Sequence, residues 1–154
     1  MKHNWKVSLI FAALLTLFVA YPAYSVKYDK SNPTKMYSKA YKMIDKGQYS
    51  KAQKILKNYT KPEPEDPDGW TLLAFTYRKL DKFAESEEYY LKALNLEPDN
   101  KSALEYQGEL FIETNRIDLA NANIKKLQNL CPNSCEELEK LQSYLLDQSS
   151  KSNI

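Results

Sequence analysis

Cys131 and Cys135 bracket Pro132-Asn133-Ser134 and are the chain's two cysteines, its one pair able to do covalent or soft-metal chemistry. A pair at this spacing can close as a disulfide, cycle as a thiol redox centre, or hold copper. The expectation is a disulfide. An even pair in an oxidising compartment pairs, no His or Met stands nearby, and Glu136 and Glu137 disfavour a thiolate. Closing so short a loop stabilises by about 2 kcal/mol on the chain-entropy estimate. A second constellation is Glu105, Glu109 and Glu113, four residues apart on one helical face. Paired carboxylates can act as general acid and base. Nothing in the sequence sets a His, Ser or aromatic pocket beside them, so an acidic groove wall or solvated face is expected. The single histidine is His3. Once the N-terminus is removed, triads built on an imidazole and His-ligated metal sites are excluded. There is no Gly-rich phosphate loop and no GxSxG. No enzyme activity, cofactor or metal is expected.

The oxidising compartment follows from the N-terminus. Lys2 and Lys6 precede an apolar run from Val7 to Ala20, Pro22 breaks it, and Ala23 and Ser25 set small residues where signal peptidase needs them. The run is shorter than the ~20 residues that span a bilayer as a helix. Residues 1–25 are therefore expected to be a signal peptide, cut near Ser25/Val26 and leaving the mature chain periplasmic or secreted. The alternative is an uncleaved anchor, which would be the chain's one membrane contact.

The whole chain carries a formal charge of +2, and without Lys2 and Lys6 it is neutral. The distribution is lopsided. Lys27 to Lys61 holds ten lysines against Asp29 and Asp45, whereas Pro62 onward has an excess of eight acids. A basic first third suits nucleic acid, an anionic membrane or an acidic partner. Export argues against nucleic acid, and a solvated helical face is the plain expectation. With 154 residues, 43% of them hydrophobic, the chain holds one domain with a real core.

The elements that must position these residues repeat. Pro64, Pro98 and Pro132 are spaced by 34, and so are Ala40, Ala74 and Gly108. Met43, Tyr77 and Phe111 keep the register, as do Tyr49, Phe83 and Ile117, then Ala52, Ser86 and Ala120, then Leu56, Tyr90 and Ile124. Within each copy, apolar residues recur at three- and four-residue steps on both sides of a short break. The breaks centre on Gly47, Asp81 and Asn115, residues that tolerate the left-handed conformation ending a helix. Each copy (33–66, 67–100, 101–134) therefore predicts two antiparallel helices closed by a proline.

These residues resemble the tetratricopeptide repeat. Trp70, Leu73, Ala74, Tyr77, Phe83, Tyr90, Ala93 and Pro98 match its pattern most closely, with Gly108, Phe111, Ala120 and Pro132 in the third copy. The first copy is weaker, with Met36 in place of Trp, and Ser86 stands where the family has Ala. A Leu-Cys-Pro-x-x-Cys-Glu-Glu tail also looks like that of small exported bacterial repeat proteins. The resemblance implies an all-α, right-handed superhelical stack of three hairpins. Residues 135–147, with Leu138, Leu141, Leu145 and Leu146 on one stripe, are expected to cap it. Residues 26–32 are expected to be loose and 148–154 frayed.

In the family, the first helix of each hairpin lines a concave groove. Carried onto this chain, the groove residues are Tyr37, Tyr41 and Ile44, then Thr71, Phe75 and Arg78, then Glu105, Glu109 and Ile112. The Lys and Asn pattern with which some members clamp a C-terminal carboxylate is missing. Tyr37, Tyr41 and Thr71 stand there instead. The function implied is an exported interaction module or adaptor binding a protein or peptide, with apolar anchors and some positive charge in the ligand. The competing readings are an exported thiol-redox or copper-handling protein using Cys131 and Cys135, and an architectural subunit that self-associates through its oppositely charged parts.

Overall fold

The computed structural model describes residues 32–152, and the expected signal peptide, its cleavage site and the loose segment up to residue 31 lie outside them. The described residues form helices α1 (Pro33–Asp45), α2 (Tyr49–Tyr59), α3 (Pro67–Arg78), α4 (Phe83–Leu96), α5 (Lys101–Glu113), α6 (Ile117–Leu130) and α7 (Glu136–Ser152), with no strand among them. The fold is an all-α stack of hairpins α1–α2, α3–α4 and α5–α6, closed by α7.

Local chemistry starts and stops each hairpin. Asn32, Asp66 and Asn100 cap the first helices, their side-chain oxygens accepting backbone N–H bonds from Thr34, Asp68 and Ala103. Pro33 and Pro67 supply the first helical residue of α1 and α3, where a missing N–H costs nothing. The turns inside the hairpins share one geometry. Gly47, Asp81 and Asn115 have φ of 66°, 57° and 57°. The next residue's N–H, from Gln48, Lys82 or Arg116, donates back to the carbonyl of Met43, Tyr77 or Phe111. The second helices differ in length, because Pro62 stands at the register of Leu96 and Leu130 and cannot continue α2 beyond Tyr59.

Small residues bring the helices together. Ala40, Ala52, Ala74, Ala93, Ala103 and Ala120 are fully buried. An ideal Cβ on Gly69 would fall 2.5 Å from the Tyr59 ring of the preceding hairpin. Ser86 is tolerated in the core because its hydroxyl donates to the Ala74 carbonyl at 2.9 Å. Tyr59 donates to Asp66 at 2.5 Å, and the Trp70 indole donates to the Pro64 carbonyl at 2.7 Å, which pins the turn between the first two hairpins.

Helix α7 covers the last hairpin by packing on α5 and α6. Leu138 and Leu141 are buried, and a Cβ on Gly108 would meet Leu141 Cδ2 at 2.5 Å. The helix runs five residues past the expected end at 147. The serines expected to fray instead bond within it: Ser149 and Ser150 hydroxyls donate to the Leu145 and Asp147 carbonyls. Cys131 and Cys135 are bridged across the α6–α7 turn, their Cα atoms 5.7 Å apart, with Cys131 buried. The bridge ties the end of α6 to the start of α7 and leaves no free thiolate.

Candidate functional site

The aromatics that fall off the packing register meet along the first helices. Tyr41 of α1 is 52% exposed. The half-buried Phe75 of α3 lies 5.0 Å, between ring centroids, from Tyr106 of α5 and 6.0 Å from Tyr49 at the start of α2. Burial raises the Tyr106 hydroxyl's pKa, and Glu105, Glu109 and Tyr41 add to the effect against Lys140. The exposed Lys79 stands 5.6 Å over the Phe75 ring, a cation–π distance. Together these rings form an apolar floor with a positive edge.

A charged network borders that floor. Arg78, buried on α3, bonds Glu109 and Glu113 of α5 through separate guanidinium nitrogens, the second at 2.6 Å. Tyr144 of α7 donates to the same Glu113 oxygen at 2.6 Å. Burial opposes charge on Arg78, but the Tyr90 hydroxyl and the two carboxylates outweigh it and hold the pKa above its usual value. Three helices are thus tied by one cation. Because this guanidinium engages Glu109 and Glu113, they are groove-wall groups already partnered from inside the stack rather than a free acid–base pair.

The nine residues expected to line the groove divide. Tyr41 is exposed, and Tyr37, Ile44, Phe75 and Glu109 are half-buried. Tyr37 leans back on Tyr59, with ring centroids 5.4 Å apart, and burial ahead of Asp68 and Asp66 pushes its pKa up to about 12. Thr71, Arg78, Glu105 and Ile112 are buried and are corrected out of the accessible surface. The Thr71 hydroxyl is turned inward to the Pro67 carbonyl. Arg78 is consumed by its carboxylates. Ile112 packs in the core of the last hairpin and α7. Glu105 is buried near Lys140 of α7, and burial, then Glu109, pushes its pKa up to about 8. The expectation missed Tyr106, Lys79 and Tyr144. Tyr106 stands at the register of Leu72, a core position in the second hairpin, so the repeat disguised it. Glu105, like Thr71 at the same register in α3, is buried, while Tyr106 is half-buried.

The second hairpin carries the decisive likeness: residues 67–100 match the family description of the tetratricopeptide repeat. The fold is a tetratricopeptide-repeat stack. The type III secretion translocator chaperone SycD of Yersinia enterocolitica superposes with a TM-score of 0.68 at 16% identity, covering 79% of this chain and 95% of that one. The first tetratricopeptide domain of Spaghetti (RPAP3), bound to an HSP90 peptide, superposes with 0.67 at 21% identity over 82% and 97%. SycD in complex with a peptide of the translocator YopD gives 0.66 at 16% identity over 77% and 93%. The sequence matches no curated protein. At these identities the shared feature is the repeat fold.

Proposed function

We propose that the chain is an exported adaptor, of the small bacterial kind, whose groove binds a segment of a partner polypeptide through Tyr41, Phe75 and Tyr106. One observation carries this reading. Phe75 and Tyr106 of successive first helices meet with ring centroids 5.0 Å apart, and Tyr41 on the first of these helices is 52% exposed. Exposed aromatics of this kind anchor interfaces, because a rigid ring buries much area at little entropic cost. Two proteins of like fold are seen with peptides, which supports a segment as the ligand. The HSP90-peptide mode does not transfer, since Tyr37, Tyr41 and Thr71 replace the groups that would clamp a carboxylate terminus. The ligand chemistry that fits the floor is apolar side chains, since Glu109 is already paired with Arg78.

The test is capture of partner from the exported fraction by the chain beginning at Val26. Tyr41→Ala combined with Phe75→Ala should abolish capture while circular dichroism stays helical. Retention of the partner by that folded double variant would remove the groove as the site. Export is tested separately by intact mass: the exported protein should begin at Val26, and a membrane-bound species retaining Met1 would overturn cleavage.

A further inference from the structure

The 34-residue register gives each first helix one face turned toward the hairpin before it. In α3 and the turn after it that face is Gly69, Leu73, Thr76 and Leu80, the first three buried and the last half-buried. In α5 and its C-cap it is Ala103, Gln107, Leu110 and Thr114, again three buried and one half-buried. Gly69 packs under Tyr59 of α2, Ala103 joins the cluster of Ala93, and Leu110 packs with Tyr90 of α4. The same four positions of the first hairpin are Lys35, Lys39, Lys42 and Lys46, and all four are exposed. No ion pair among the described residues involves α1 or α2, and Asp45 is the one acid in either helix.

A terminal hairpin needs a polar outer face to stop stacking, but a polar face does not need one sign. Like charges three and four residues apart weaken a helix, and mixed Glu and Lys would stop stacking without that cost. We propose that this end of the stack is a docking face for an anionic phospholipid surface. The face favours that occupant over an acidic protein or a nucleic acid. It is a flat stripe spanning roughly 16 Å at the helical rise, and its four positions hold neither the aromatic or Arg anchor of a protein interface nor the stacking ring of a nucleic-acid platform. Lysine is a mobile point charge that meets headgroup phosphates in any register. This face is distinct from the aromatic groove, so failure of either reading leaves the other standing.

The test is co-sedimentation of the chain beginning at Val26 with vesicles of equal phosphatidylglycerol and phosphatidylcholine, against phosphatidylcholine alone. The chain should sediment with the anionic vesicles only, and release in high salt. Lys35→Gln, Lys39→Gln and Lys42→Gln together should weaken binding roughly a hundredfold, at about fivefold per lysine. The matched variant Lys101→Gln, Lys125→Gln and Lys151→Gln, all exposed elsewhere, should bind nearly as the parent does. Circular dichroism of both should stay helical. No sedimentation of the parent, equal loss in both variants, or tighter binding to polyglutamate or duplex DNA than to the vesicles would overturn the proposal.

Discussion

The two ends of the stack are closed by opposite means. At the C-terminal end, α7 lays Leu138 and Leu141 over α5 and α6, with Leu141 seated where Gly108 has no side chain. At the N-terminal end no helix among the described residues covers α1, and four lysines occupy the matching stacking positions. One end ends by burial and the other by charge. Burial contributes stability and uses up the surface it covers, as the loss of Glu105 and Ile112 from the groove shows. Charge contributes little stability and leaves its face free to meet something else. Stability should therefore be concentrated at the covered end.

The largest break in this comparison comes from Leu141→Ala. The side chain is fully buried against Gly108, so removing it loses transfer energy and leaves a gap that a glycine backbone cannot fill. The cost should be about 3 kcal/mol, within the range for buried leucines. Urea unfolding should show a lower midpoint, and amide exchange should show α7 opening first. A variant with parental stability would mean that α7 is an appendage rather than a closure.

Next in size is Arg78→Met, which cuts the tie between α3, α5 and α7. Removing one partner of a fully buried pair costs 3–5 kcal/mol. The Glu109 and Glu113 side chains keep 13% and 21% of their exposure and so stay partly hydrated. The loss should be about 2 kcal/mol, with the Tyr144 contact to Glu113 surviving. A double variant of Arg78→Met with Glu109→Gln should recover part of it, because one of the two stranded carboxylates is then neutral.

Much of this architecture was legible because the repeat is a register, and a register survives weak individual matches. Gly47, Asp81 and Asn115 announce the turns by conformational tolerance, and the structure gives all three a positive φ. The small residues at 40, 74 and 108 announce the close approaches. The groove was only half legible. Periodicity fixes which face a residue occupies, but not what a later helix lays over that face. The Leu stripe of α7 foretold a cap; nothing in it foretold that Glu105 would be buried or that Tyr106 would meet Phe75. Arg78 was misassigned for a related reason. A lone cation reads as surface until carboxylates at 109 and 113, more than thirty residues on, are seen to neutralise it.

Glu105 sharpens the comparison through pH. Its carboxyl sits under the covered end with a pKa pushed up to about 8 from 4.5, by burial and then Glu109, with Glu137 and Glu136 adding and Lys140 opposing. The folded state therefore holds this proton more tightly than the unfolded chain does. The stabilisation is fully present below about pH 4.5 and is lost as pH rises through about 8. Glu105→Gln, which keeps the shape and cannot ionise, should match the parent at pH 4. At pH 9 it should be more stable by roughly 1 kcal/mol, a value kept well below the full linkage because Lys140 can follow the charge. Equal stabilities across that range would show that water reaches the carboxyl beneath α7.

The smallest expected effect is at the open end, and it is the most discriminating. Lys42 and Thr76 share one register position, the first exposed and the second fully buried with its hydroxyl donating to the Leu73 carbonyl at 2.7 Å. Lys42→Thr exchanges one for the other where no other described residue covers the side chain. Threonine has the lower helix propensity, by a few tenths of a kcal/mol. Against this, removing one of four like charges relieves repulsion from Lys39 and Lys46 of similar size. The two terms oppose, so stability should move by less than about 0.5 kcal/mol. Ionic strength separates them: at low salt the variant should gain on the parent, and at high salt, where repulsion is screened, the propensity loss should remain. A loss above 1 kcal/mol in both conditions would mean that Lys42 already has a partner on the N-terminal face, and that this end, like the other, is closed by contact.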